Sequence, residues 1–152
     1  MHTLVILLTK AEDKEEAISN CEEFLEQYGE GDVWDWYVIG GRWDNYLSPQ
    51  ENTEENTYNV LPLADCLEIV RENIRDMAVI VDKCLKDMLE AIEKEKKGED
   101  GISSAYYASL YSDAKYNNFS FDSMVYDITT EEGEILPANT EGYWAIVIDL
   151  HN

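Results

Sequence analysis

The sequence predicts an α+β fold: an antiparallel sheet of about four strands with helices packed on it. Three observations carry this. Apolar runs of strand length open and close the chain, at 4–8 and 143–150. A long helical pattern runs from 63 to about 97. The order strand, helix, strand, long helical segment, strand, strand is accommodated most economically by one sheet with helices against it. A ferredoxin-like arrangement fits this order, as a single domain over 1–152 with a helical insertion at about 62–117.

Each element follows from local pattern. Leu4 to Leu8 is unbroken apolar sequence, as in a strand buried on both faces. Thr9-Lys10-Ala11-Glu12 has capping-box spacing. Ala17, Ile18, Cys21, Phe24, Leu25 and Tyr28 then recur at helical intervals, until Gly29 and Gly31 end the helix. Glu15, Glu16, Glu22, Glu23 and Glu26 form its wet face. Residues 34–39 read as a strand punctuated by Gly40-Gly41, and the polar stretch 48–59 as a loop.

In the long helix, Leu63, Leu67, Val70, Ile74, Met77, Val81, Cys84 and Met88 alternate steps of four and three. That is a heptad seam, which Ile69, Ile80, Leu85, Leu89 and Ile92 widen. Such a stripe packs on a sheet or bundle, or pairs with a second copy to make a homodimer through 63–92. A shorter helix is expected over 102–116 with Tyr106, Tyr107 and Tyr111 on it, and a strand over 120–129.

Charge bounds the partners. Asp and Glu number 33 against 11 Lys and Arg, a formal net charge of -22. Phosphates reward Lys and Arg, so direct binding of nucleic acid or of an anionic membrane is not expected. A basic host protein or nucleoprotein complex is the partner such a surface attracts, and a solvated face without a partner is the plainer alternative. Beyond Gly98 one basic residue, Lys115, faces ten acids, among them Glu131, Glu132 and Glu134. No apolar run spans a bilayer, the start lacks a basic leader pattern, and Cys21, Cys66 and Cys84 have no CxxC spacing. A cytoplasmic setting with reduced thiols is expected.

The densest local feature is Trp34 to Leu47, with three of the four tryptophans and a glycine pair. Arg42 is the only Lys or Arg between Lys14 and Arg71. Gly40 and Gly41 permit positive φ, and successive N–H groups there can form an anion-binding nest. Arg42 can fork a carboxylate or phosphate, and Trp43 can stack on a ring. The plainer reading is a tight turn with Arg42 paired to a nearby carboxylate and the tryptophans in the core. Asp149-x-His151 lies at the end of the last strand, where period-two spacing puts both side chains on one face. A carboxylate beside an imidazole suits general-base work, which makes Asp149 and His151 the catalytic candidates. With two His and no HExxH, no metal site and no cofactor are expected.

The segment Trp36-Tyr37-Val38-Ile39-Gly40-Gly41-Arg42-Trp43 resembles a W-Y-x-x-G-G-R-W-like motif of small uncharacterised phage and bacterial proteins. In those it follows an opening strand and helix, and an Asp-x-His-like ending, here Asp149-Leu150-His151, sometimes accompanies it. The resemblance covers the motif and the two ends, not the middle helices. It implies a phage or mobile-element setting and no established activity.

Two functions are therefore expected to compete. One is an acidic, phage-encoded interaction protein that inhibits a basic, nucleic-acid-handling host defence protein, by nucleic-acid mimicry in its sharpest form. The other is a small-molecule- or nucleotide-binding protein, or a small enzyme. Its site would combine Gly40, Gly41, Arg42, Trp43 and Trp36 with Asp149 and His151.

Overall fold

The computed structural model describes residues 2–27, 34–48, 58–115, 123–130 and 136–151. The chain divides into two compact units, Met1–Ile74 with Asp122–Asn152, and Arg75–Phe121.

The first unit is built on β1 (His2–Lys10) and β5 (Tyr143–His151), which pair antiparallel from His2↔His151 to Lys10↔Tyr143. Both are apolar enough to sit centrally, and Leu4 through Leu8 and Ala145 through Ile148 are all buried. The other strands are β2 (Trp36–Ile39), β3 (Val60–Pro62) and β4 (Ser123–Asp127). The order is β2-β5-β1-β4, with β3 also on β5.

This corrects the expected antiparallel sheet of about four strands. The sheet has five strands and is mixed, because β4 runs parallel to β1 from Leu4↔Ser123 to Leu8↔Asp127. A parallel neighbour requires a crossover, and the helical segment between β3 and β4 provides the chain length for one. The ferredoxin-like arrangement is not confirmed: its sheet is antiparallel throughout, including the strand beside β1.

β2 and β3 descend the same edge of β5, at 151–148 and 146–144 respectively. They meet at Val147, whose carbonyl accepts from Gly40 N–H at 2.8 Å and whose N–H donates to the Asn59 carbonyl at 2.9 Å. In effect they are one edge strand interrupted by the excursion 40–59. The expected loop over 48–59 lies mostly outside the described residues.

Helix α1 (Lys14–Gln27) starts later than expected. Thr9 and Lys10 belong to β1, and Asp13 caps the helix by accepting the Glu16 N–H at 2.9 Å. Ala17, Cys21 and Leu25 are its buried stripe. It lies on the face of the sheet marked by Thr9 and Tyr126, where Asn20 Nδ2 donates to Thr9 Oγ1 and Phe24 packs on Tyr126. Helix α2 (Leu63–Lys97) has the length the periodicity predicts. Its opening turns bring Leu63, Cys66 and Val70 onto the opposite face, against Leu4, Ile6, Leu8, Val125, Ala145 and Val147. Burial lifts the thiols of Cys21 and Cys66 to a pKa of about 12, with Glu22 and Asp65 adding to the effect.

In the second unit α2 continues and α3 (Ser104–Lys115) follows. Every position of the predicted seam from Leu63 to Met88 is buried or half-buried, while Val79, Leu85 and Leu89 are exposed. Among the described residues no helix is long and apolar enough to cross a membrane.

Candidate functional site

Side chains on the α2 face of the sheet change character along the strands. Leu4, Ile6 and Leu8 on β1, and Ala145 and Val147 on β5, are core. The same alternation continued to the strand ends brings up His2, Asp149 and His151. On β2 the registered residues are Trp36, opposite His151, and Val38, opposite Asp149. One face therefore runs from apolar core to a polar and aromatic cluster at the end of the sheet.

Asp149 is the hinge of that cluster. It is 2% exposed, and both carboxylate oxygens are engaged. Oδ1 lies 2.8 Å from His2 Nδ1, and Oδ2 accepts the backbone N–H of Arg42 at 3.1 Å. An ionised carboxylate can only accept, which puts a ring proton on His2 Nδ1 and leaves Nε2 as the nitrogen that Asp149 does not engage. His151 has the same arrangement with Asp35, Nδ1 to Oδ2 at 3.1 Å. The two imidazoles meet edge to face with centroids 4.9 Å apart. Trp36 stacks on His151 at 5.0 Å and 4°, and stands edge to face with His2 at 5.3 Å.

The glycine pair is explained by what lies beneath it. Gly40 and Gly41 have φ of 83° and 61°. A Cβ on Gly41 would stand 2.6 Å from Asp149 Cβ, and one on Gly40 2.1 Å from Asn59 Nδ2. Only glycine permits both the dihedral and the approach. The turn Gly41–Trp43 is then sewn to the sheet from two sides. Asp149 holds Arg42, while buried Asn59 accepts from Asn45 N–H at 3.1 Å and donates to Asp44 Oδ1 at 2.7 Å.

The structure thus brings together Gly40, Gly41, Arg42, Trp36, Asp149 and His151. Most backbone N–H groups of the turn are already used: Gly40 by Val147, Arg42 by Asp149, Trp43 by Gly40 and Asp44 by Gly41. An anion bound here would therefore meet side chains rather than a backbone nest. The Arg42 side chain is exposed and forms no ion pair among the described residues. Trp43 is half-buried against the core, so it supports the turn, and Trp34 is buried; Trp36 is 41% exposed. Glu131, Glu132 and Glu134 lie outside the described residues.

Sequence reading alone did not single out Asp35 or Asn59, and left the place of His2 open. The only local signal for His2 was Asp149-x-His151, which shows that the end of β5 carries polar side chains inward. Among the described residues no group of three or more His, Cys, Asp or Glu side chains is arranged to hold a metal ion. A cleft of about 270 Å³ lies elsewhere, beside Lys10, Asn20 and Phe24. Comparison with family models, with curated proteins and with solved structures finds no match.

Proposed function

We propose that this protein binds a small molecule at the end of the sheet, where the Gly40-Gly41-Arg42-Trp43 turn meets His2, Asp149 and His151. The observation that carries this reading is the buried Asp149 carboxylate, which holds an imidazole and the Arg42 backbone at once. A buried carboxylate is costly unless fully hydrogen-bonded. Here its bonds are spent on groups that carry further polar atoms, the exposed Arg42 side chain and the second nitrogen of His2. Carboxylate-oriented imidazoles also suit proton transfer to a bound ligand. The test is a metabolite screen by thermal shift, followed by the His2 and His151 ring resonances of each hit. Ligands that move both rings, and lose their effect in Arg42→Gln, are expected. A screen in which no stabilising ligand moves either ring would sink the reading.

A second reading is kept by a separate observation. Glu15, Glu16, Glu22, Glu23 and Glu26 of α1 are all exposed, and Glu12 and Asp13 extend the row. Such a surface suits fast, salt-sensitive association with a basic partner. On this reading the protein is an acidic inhibitor of a basic, nucleic-acid-handling host protein, and the phage setting enters through the motif resemblance alone. Pull-down at low and high salt with a Glu22→Lys, Glu23→Lys, Glu26→Lys variant tests it. Capture that is indifferent to both salt and charge reversal would refute it.

A further inference from the structure

We infer that the ligand is a nucleoside-monophosphate-like organic phosphate, its phosphoryl group engaged by Arg42 with the Nε2 atoms of His2 and His151, and its flat ring against Trp36. This rests on the small-molecule reading of the same site and names its ligand class.

Each ring's Nδ1 is engaged by a carboxylate, Asp149 for His2 and Asp35 for His151, which leaves Nε2 as the nitrogen each ring can offer to a ligand. With ring centroids 4.9 Å apart, the two Nε2 atoms are separated by at most about 7 Å. With each Nδ1–H given to its carboxylate, Nε2 donates only from the imidazolium form, and with both rings in that form two hydrogen bonds of about 2.8 Å across one O···O edge of a phosphoryl group bridge such a span. The backbone N–H of Arg42 and Nδ1 of His2 sit on the two oxygens of one carboxylate, so the guanidinium starts within a side-chain length of the imidazoles. Its fork of donors matches phosphate oxygens.

Three separate donors favour a group with three acceptor oxygens over a carboxylate with two. Trp36 gives one face to His151, and the 41% of its surface that remains exposed offers a platform for a planar ring. The net charge of -22 repels a long polyanion, which selects a mononucleotide over a nucleic-acid strand.

The experiment is isothermal titration of the full chain with the four nucleoside 5′-monophosphates, the four matching nucleosides, and inorganic phosphate. At least one monophosphate should bind ten-fold or more tightly than its nucleoside and than phosphate. Arg42→Gln, an exposed substitution checked for an unchanged circular-dichroism spectrum, should weaken that monophosphate at least ten-fold and leave the nucleoside unchanged. Trp36→Ala should weaken nucleoside and monophosphate alike. Equal affinity for nucleoside and monophosphate, or an indifferent Arg42→Gln, overturns the inference. If no monophosphate binds while a non-phosphorylated metabolite from the screen moves the His2 and His151 resonances, this inference falls and the binding site stands. If nothing moves them, both fall.

Discussion

Asp149 accepts a hydrogen bond from the backbone N–H of Arg42 at 3.1 Å, across 107 positions of sequence. That bond ties the glycine-rich turn to the central strand, and the same carboxylate orients His2. Asp149→Asn replaces one acceptor oxygen with a donor while keeping the shape. It is expected to cost about 2 kcal/mol in urea denaturation, since a buried charge-assisted bond is lost. The ¹⁵N shifts of the His2 ring should lose their Nδ1–H pattern. An unchanged His2 spectrum would show that Asp149 does not select the tautomer.

Gly41 and Gly98 separate steric approach from backbone preference. Both have positive φ, 61° and 70°, but a Cβ on Gly41 would press on Asp149 and Val38 while one on Gly98 meets open space. Gly98→Ala should cost about 1 kcal/mol, the left-handed penalty alone. Gly41→Ala should cost about 3 kcal/mol, as strain adds to that penalty. Equal losses in denaturation midpoints would remove the claim that the turn lies against Asp149.

Cys21 and Cys66 should be slow to react. Their thiols ionise at about 12 in the fold against 9.0 for a free thiol, chiefly because burial disfavours the thiolate. In a Cys84→Ser background, disulfide-exchange labelling at pH 8 should run at least ~100-fold slower in buffer than in urea. The raised values also make stability depend on pH. A raised folded-state value leaves the contribution intact below pH 9, and it is lost as pH rises from there towards 12. Each thiol should withdraw on the order of 1 kcal/mol by pH 10. A Cys21→Ala, Cys66→Ala variant whose stability falls as steeply between pH 8 and 10 would contradict this.

Glu95 should hold the start of α3. It accepts from Ser104 Oγ at 2.7 Å and from Ser104 N–H at 2.6 Å, and these two bonds lower its pKa, the hydroxyl's first. A depressed carboxylate supports the fold above its unfolded value and loses that support as pH falls through the folded one. Protection factors at Ser104–Tyr107, taken against the intrinsic rate at each pH, should therefore fall on acidification below pH 4.5 in the parent chain. In Glu95→Gln they should be low already at neutral pH. Matching profiles would rule the cap out.

The elements that could be read in advance were those whose burial is written locally. The β1 and β5 runs, the α1 stripe and the seam of α2 each carry their own period, and the bounds of α2 agree with its pattern to within a residue or so. β3 could not be read: it is three residues long and ends in Pro62, and only its pairing with β5 makes it a strand. The direction of β4 could not be read either, because period-two alternation is the same for parallel and antiparallel neighbours. For the site, the glycine pair, Arg42, Asp149 and His151 were legible as unusual residue types. Their mutual geometry was not.

By itself the sequence determined the α+β class, the acidic balance and the places where chemistry-bearing residues stand, since composition and periodicity are local properties. The tertiary structure alone decided that strand ends 147 residues apart put His2 on Asp149, that Asp35 orients His151, and that Gly41 must be bare because a carboxylate lies under it. Strand register decides these contacts. It is set by the packing of the whole sheet, in which a shift of one residue would turn every one of these side chains to the opposite face.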